Sequence, residues 1–213
     1  MDHIQRRDAN LVYIADARVA EEMKQCRRIL QKLNFLDRSD SEAIAEVVHS
    51  LINCEGDAWI NPPFYCDYGK HIHVGRNFFA NYNCTIIDVA EVTIGMNCQM
   101  APNVSIYTAG HPVHPDTRNT AFVYGMPVTI GDNVWIGGST VILPGVHIGS
   151  NTVIGAGSVV THDIPDWVVA AGNPCRVLRP VTDADRRTDF RHRQIDDEAW
   201  RQICAMNHWD PDT

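Results

Sequence analysis

Between Val128 and Val160 the chain reads VTIGDNVWIGGSTVILPGVHIGSNTVIGAGSVV, and every sixth residue from Ile130 is aliphatic: Ile136, Ile142, Ile148, Ile154 and Val160. Two residues before each stands a β-branched or small residue: Val128, Val134, Thr140, Val146, Thr152 and Ser158. Glycine follows four members of the aliphatic column, as Gly131, Gly137, Gly149 and Gly155. A six-residue period matches neither a helix, with its period near 3.6, nor a simply alternating strand. It requires a coil of short parallel strands whose corners recur every six residues, each coil stacking its aliphatic column on the next.

The same period appears earlier in weaker form. Val74, Ala80 and Ile86 are six apart, and after two extra residues Ile94, Met100 and Ile106 resume it. Irregular first coils are expected of a repeat stack, whose ends are caps. Residues 107–127 carry no such column and hold histidines, prolines and an arginine instead, yet the phase is kept from Ile106 to Ile130. A long excursion that leaves and rejoins a rigid scaffold in phase is a functional loop.

Upstream, Met23, Cys26, Leu30 and Leu33 lie on one face of a helix predicted from about Asp8 to Asn34. A second helix starts at Asp40 or Ser41, either of which caps it, with Ile44, Val47, Val48, Leu51 and Ile52 as its apolar stripe. These helices are too small to stand alone and should pack on an end or flank of the repeat body. Pro62, Pro63 and Gly69 then lead into extended chain. After Val160 one more apolar run, Val168 to Ala171, closes the body. The charged tail holds Phe190, Trp200 and Trp209 and a short helix around Glu198–Met206. The organisation expected is a helical cap over 1–57, a repeat body over 58–180 and a tail over 181–213.

A chain of 213 residues, 45% hydrophobic, buries a core as one domain with small appendages. A formal net charge of −8 weighs against nucleic acid or an anionic membrane as partner. No apolar run is long enough to span a membrane, and the N-terminus has no signal-peptide segment. Seven cysteines without a CxxC pair read as reduced structural thiols in a cytoplasmic protein.

The run from about Ala58 to Arg179 resembles the hexapeptide-repeat acetyltransferases, specifically the galactoside and maltose O-acetyltransferase group. The stretches FYCDYGKHIHVGRNFFANYN, APNVSIYTAGHPVHPDTR, PVTIGDNVWIGG and VVAAGNPCRVLR carry the likeness. The resemblance implies a mainly β fold, a left-handed parallel β-helix with an N-terminal helical cap and a protruding loop. It also implies a homotrimer with active sites between subunits, and acetyl-CoA as co-substrate with no metal.

By the same resemblance His111, in TAGHPVHP, is the general base that takes the proton of the acceptor hydroxyl. Histidine suits that task because its imidazole titrates near neutrality. Asn81, in FFANYN, matches a residue that steadies the oxyanion of the tetrahedral intermediate and sits in the acceptor site; the competing reading is a corner asparagine in a left-handed turn. Asp67, Asp88 and Asp16 match or lie near acceptor-contacting positions, although the group's galactoside branch has an adjacent acid where this chain has Val89. Gly138, Ala156 and Thr161 match positions along the pantetheine arm, and Arg176 and Arg179 match phosphate-binding cations. His162 stands where the family commonly has lysine, which predicts weaker or more pH-dependent CoA binding. Trp135 lines the acceptor pocket or covers a coil face.

His111 and His114 invite a metal reading, but two histidines do not complete a site that usually needs three or four ligands. His71 and His73 alternate along an extended segment, one inward and one outward. The function expected is acetyl transfer to a hydroxyl of a galactoside, glucoside or maltose. The alternatives are the same chemistry on an antibiotic or other xenobiotic, a metal-dependent hydratase on the same helix, and a non-catalytic trimeric scaffold.

Overall fold

The computed structural model describes residues 1–189 and 193–210. The chain divides into two compact units, Met1–Arg179 and Pro180–Thr213.

In the first unit the linear column of the sequence becomes three stacks. Successive members fall on three parallel sheets in turn: Ile130 pairs with Ile148, Ile136 with Ile154 and Ile142 with Val160, each pair three hexapeptides apart. One coil of this parallel β-helix is therefore three hexapeptides. The weaker early repeats belong to the same stacks: Ile94 pairs with Ile130, Met100 with Ile136 and Ile106 with Ile142. All these side chains point inward and are buried, and so are the second-column residues Val128, Val134, Thr140, Val146, Thr152 and Ser158. Each fully buried aliphatic side chain contributes about 1.5–3 kcal/mol.

The first sheet contains Phe64–Cys66, Cys84–Ile87, Ser105–Tyr107, Val141–Ile142 and Val159–Val160. The second contains Asn53–Cys54, Ile72–Val74, Val92–Ile94, Val128–Ile130 and His147–Ile148. The third runs from Ala58–Ile60 through Phe78–Ala80, Gln99–Met100, Trp135–Ile136, Val153–Ile154 and Val168–Ala171 to Arg176–Pro180. The two residues that shift the phase before Ile94 lie at the corner between the first and second sheets. The long loop leaves from that same corner one coil later.

Helix α1 (His3–Asp8) and helix α2 (Ala17–Phe35) replace the single helix expected from Asp8 to Asn34. Asn10 takes a left-handed φ of 55°, the chain then runs extended through Tyr13–Ile14, and Asp16 caps α2 by accepting the Arg18 and Val19 N–H groups. The helical period of α2 is real, but a tertiary strand pairing interrupts it before Ala17. Helix α3 (Ser41–Leu51) is capped by Asp40, whose carboxylate accepts the Ala43 N–H. The apolar faces of α2 and α3 join the core of the β-helix. Asn34 fastens the end of α2 to it by two 2.9 Å hydrogen bonds with the Phe64 backbone.

The second unit holds helix α5 (Asp197–Asn207), numbered after the short loop helix α4 (Pro115–Arg118). Asp196 caps α5, and Arg187 and Arg186 lie over the Trp200 and Trp209 rings at 5.5 and 4.9 Å. Phe190 lies outside the described residues. Among the described residues no helix is long and apolar enough to cross a membrane.

Candidate active site

The loop after Tyr107 is a hairpin. Ala109–Gly110 pairs antiparallel with Phe122–Gly125, and the outer edge of Phe122–Gly125 takes up Tyr13–Ile14. The N-terminal segment thus holds the loop as a three-stranded sheet, a pairing without a local signal. His111 follows Gly110 directly. A Cβ on Gly110 would strike the Tyr124 ring, so glycine there lets that ring lie against the strand. The Arg118 guanidinium donates to the Val113 carbonyl at 2.8 Å and the Pro112 carbonyl at 3.4 Å, holding the chain just past His111. The His111 side chain itself is exposed and has no hydrogen-bond partner among the described residues.

His114 is the N-cap of α4, its Nδ1 accepting the Asp116 N–H at 3.3 Å. His71 is buried and His73 exposed, as their alternation requires. Among the described residues no group of three or more His, Cys, Asp or Glu side chains converges as a metal site.

Asn81 sits at the corner between the third and first sheets. The left-handed residue of that turn is Asn83, with φ 60°, not Asn81. The Asn81 Oδ1 accepts the Tyr82 N–H at 2.8 Å and an Asn61 amide N–H at 3.5 Å, which leaves its own Nδ2 donor with no acceptor among the described residues. Gly138 and Ala156 occupy the same corner in later coils. Ser139 N–H donates to the Pro102 carbonyl and Gly157 N–H to the Gly138 carbonyl, both at 2.9 Å, stacking Pro102, Gly138 and Ala156 in one lane. A Cβ on Gly157, beside exposed Ala156, would meet nothing within 4 Å. The lane is thus made of small residues, with backbone groups close to the surface.

The other predicted residues lie elsewhere. Asp67, Asp88, the His111 hairpin, Thr161 and His162 all belong to the edge between the first and second sheets. Thr161 Oγ1 and His162 Nδ1 are 2.8 Å apart. Arg176 and Arg179 are exposed on the last strand, and Arg176 donates to the Cys175 carbonyl at 2.8 Å. Asp67 is half-buried; burial raises its carboxyl above the ordinary range and Arg27 pulls it back. Asp88 is fully buried, so its carboxylate does not reach a ligand at the surface as the sequence suggested. Asp16 spends one carboxylate oxygen on its helix cap. Trp135 is about half exposed on the outer face of the third sheet, in register with Gln99 and Val153. A cleft of about 660 Å³ lies away from these residues and is lined by Asn53, His73, Arg76, Thr93 and Met96 among others.

Arg118, Tyr124 and Gly110 shape the loop without having been singled out in the sequence. Glycine immediately before a loop histidine was the one available signal.

The bacterial transferase hexapeptide (six repeats) family matches residues 127–162. The galactoside O-acetyltransferase of Escherichia coli strain K12 is 47% identical over 171 residues, 80% of this chain and 84% of that protein. A solved galactoside acetyltransferase in complex with coenzyme A superposes with a TM-score of 0.88 at 42% identity, covering 92% of this chain and 99% of that one. A maltose O-acetyltransferase from Clostridium difficile 630 superposes at 0.82 with 44% identity, covering 86% and 99%. The chain belongs to the hexapeptide-repeat acetyltransferases, in the galactoside and maltose O-acetyltransferase group.

Proposed function

We propose that this protein transfers the acetyl group of acetyl-CoA directly to a hydroxyl of a sugar of the galactoside, glucoside or maltose type, with His111 as general base. The observation that carries the reading is the His111 side chain, held out from a braced hairpin with both ring nitrogens uncommitted. Similarity to galactoside and maltose O-acetyltransferases supports the sugar acceptor, and the coenzyme A complex of a close structural neighbour supports the donor.

In this mechanism a His111 ring nitrogen takes the proton as the acceptor oxygen attacks the thioester carbonyl. The same proton then passes to the departing CoA sulfur, so no covalent enzyme intermediate forms. The free Asn81 Nδ2–H donates to the oxygen that gains charge, a role worth about 3 kcal/mol in comparable sites. Asp67 accepts hydrogen bonds from sugar hydroxyls. The lane at Gly138 and Ala156 receives the pantetheine arm, and Arg176 and Arg179 meet the phosphates. The base and the oxyanion donor leave from different edges of the coil. That separation supports a homotrimer in which one subunit's His111 edge faces a neighbour's Asn81 edge. Seven unpaired cysteines agree with a cytoplasmic setting.

Thiol release from acetyl-CoA against β-galactosides, glucosides, maltose, chloramphenicol and a streptogramin tests the reading. His111→Ala should lower kcat on the sugar acceptor by about 100- to 10,000-fold. Loss of less than tenfold, or turnover of the antibiotics alone, would overturn it. Hybrids of His111→Ala and Asn81→Ala subunits should regain activity, because some sites would then contain both groups. Inactive hybrids of normal assembly would place both groups in one subunit's site.

A further inference from the structure

The corner after Phe64–Cys66 contains Asp67, Tyr68, Gly69 and Lys70. Its backbone is fastened from the next coil by one side chain. The N–H groups of Asp67 and Tyr68 both donate to Asp88 Oδ1, at 2.8 and 2.9 Å. His71 Nδ1 lies 2.7 Å from the Asp88 carbonyl oxygen, which can only accept, so that nitrogen carries the proton. One coil further on, Thr108 Oγ1 donates to the Ile87 carbonyl at 2.7 Å and accepts the Ala90 N–H at 2.9 Å. Thr108 is also the root of the His111 hairpin, its carbonyl accepting the Met126 N–H at 2.8 Å. Three stacked corners are thus joined by buried polar groups.

The cap grips the same corner from outside. Arg7, almost completely buried, lies 4.7 Å over the Tyr68 ring and donates to Glu22 at 2.6 Å. Glu22 also pairs with Lys70 at 2.9 Å. Tyr68 is buried between these partners, and Asp67 remains the partly exposed acid of the corner.

Asp88 is poorly explained as a stabilising residue. Its second oxygen, Oδ2, is buried without a hydrogen-bond partner among the described residues, a costly state for a carboxylate. What the side chain does supply is geometric. A single oxygen that accepts two successive N–H groups fixes the orientation of the peptide between Asp67 and Tyr68.

We infer that Asp88 is a positioning residue for the sugar acceptor: it sets the backbone of Asp67 and so aims the Asp67 carboxylate at the acceptor hydroxyls. The inference rests on the proposed role of Asp67 as an acceptor contact. Small displacements of such a group cost large factors in binding and rate.

A double-mutant cycle in the full-length protein, with KM measured separately for sugar and acetyl-CoA, tests it. Asp67→Ala and Asp88→Ala should each raise the sugar KM at least tenfold and leave the acetyl-CoA KM within twofold. Because Asp88 acts through Asp67, the double variant should match Asp67→Ala alone. Asp88→Asn keeps an oxygen for the two amides and should stay within threefold of wild type. If Asp88→Ala does not fold, Asp88→Ser takes its place in the cycle. Multiplying effects, or a fall in kcat with both KM values unchanged, would overturn the inference. An unchanged sugar KM in Asp67→Ala would overturn it too, together with the acceptor role of Asp67, whereas the loss of activity in His111→Ala would still support the transfer chemistry.

Discussion

Asn97 Nδ2 donates to Asn133 Oδ1 at 2.9 Å, and both residues hold a left-handed backbone with φ of 56°. They are the middle rungs of a ladder from Asn77 through Asn97 and Asn133 to Asn151 at the corner between the second and third sheets. Asparagine tolerates the left-handed region that most residues avoid at a cost of about 1–2 kcal/mol, and its amide links one coil to the next. Asn133→Ala should therefore destabilise the protein by about 2 kcal/mol in urea unfolding. Asn133→Gly, which keeps the backbone and loses only the ladder bonds, should be milder. Equal losses in the two variants would mean that the backbone conformation contributes nothing.

Asp88 should make stability fall as pH rises through a defined window. Burial, opposed by the Tyr68 and Asp67 amides, pushes its carboxyl from 3.8 up to about 6. The folded protein therefore binds this proton more tightly than the unfolded chain. Below about 4 both states are protonated and there is no penalty; above about 6 the penalty is complete, roughly 2–3 kcal/mol at 1.36 kcal/mol per unit. Asp88→Asn has no such charge to bury. Its stability relative to wild type should rise by about that amount between pH 4 and pH 7, read from denaturant midpoints. A difference independent of pH would show that the Asp88 carboxyl titrates as it does in the unfolded chain.

Ala156 offers a test of the donor lane that does not touch the chemistry. The residue is exposed, so Ala156→Leu should change stability by no more than about 0.5 kcal/mol. The added side chain would stand in the lane of the pantetheine arm and should raise the acetyl-CoA KM at least tenfold, with the sugar KM nearly unchanged. Unaltered acetyl-CoA kinetics would move the arm to another face of the coil.

The sequence by itself determined the coil. A six-residue column of aliphatic side chains has one way to be buried, and every member from Val74 to Val160 points inward. It also marked the loop over 107–127, which interrupts the period without losing phase, while His111 within it was marked by the likeness of TAGHPVHP to the hexapeptide-repeat acetyltransferases. Only the tertiary structure decided which candidates share an edge. Stacking three hexapeptides per coil brings Asn81, Gly138 and Ala156 to one corner and puts Asp67, Asp88 and the His111 hairpin at another, although the two sets interleave along the chain. It likewise drew Tyr13–Ile14 out of a helical pattern to pair with Phe122–Gly125 and buried Asp88 beneath two backbone amides. Side-chain periodicity is a local property, legible residue by residue. Strand pairing and burial at a corner depend on hydrogen bonds between distant segments, for which no local pattern exists.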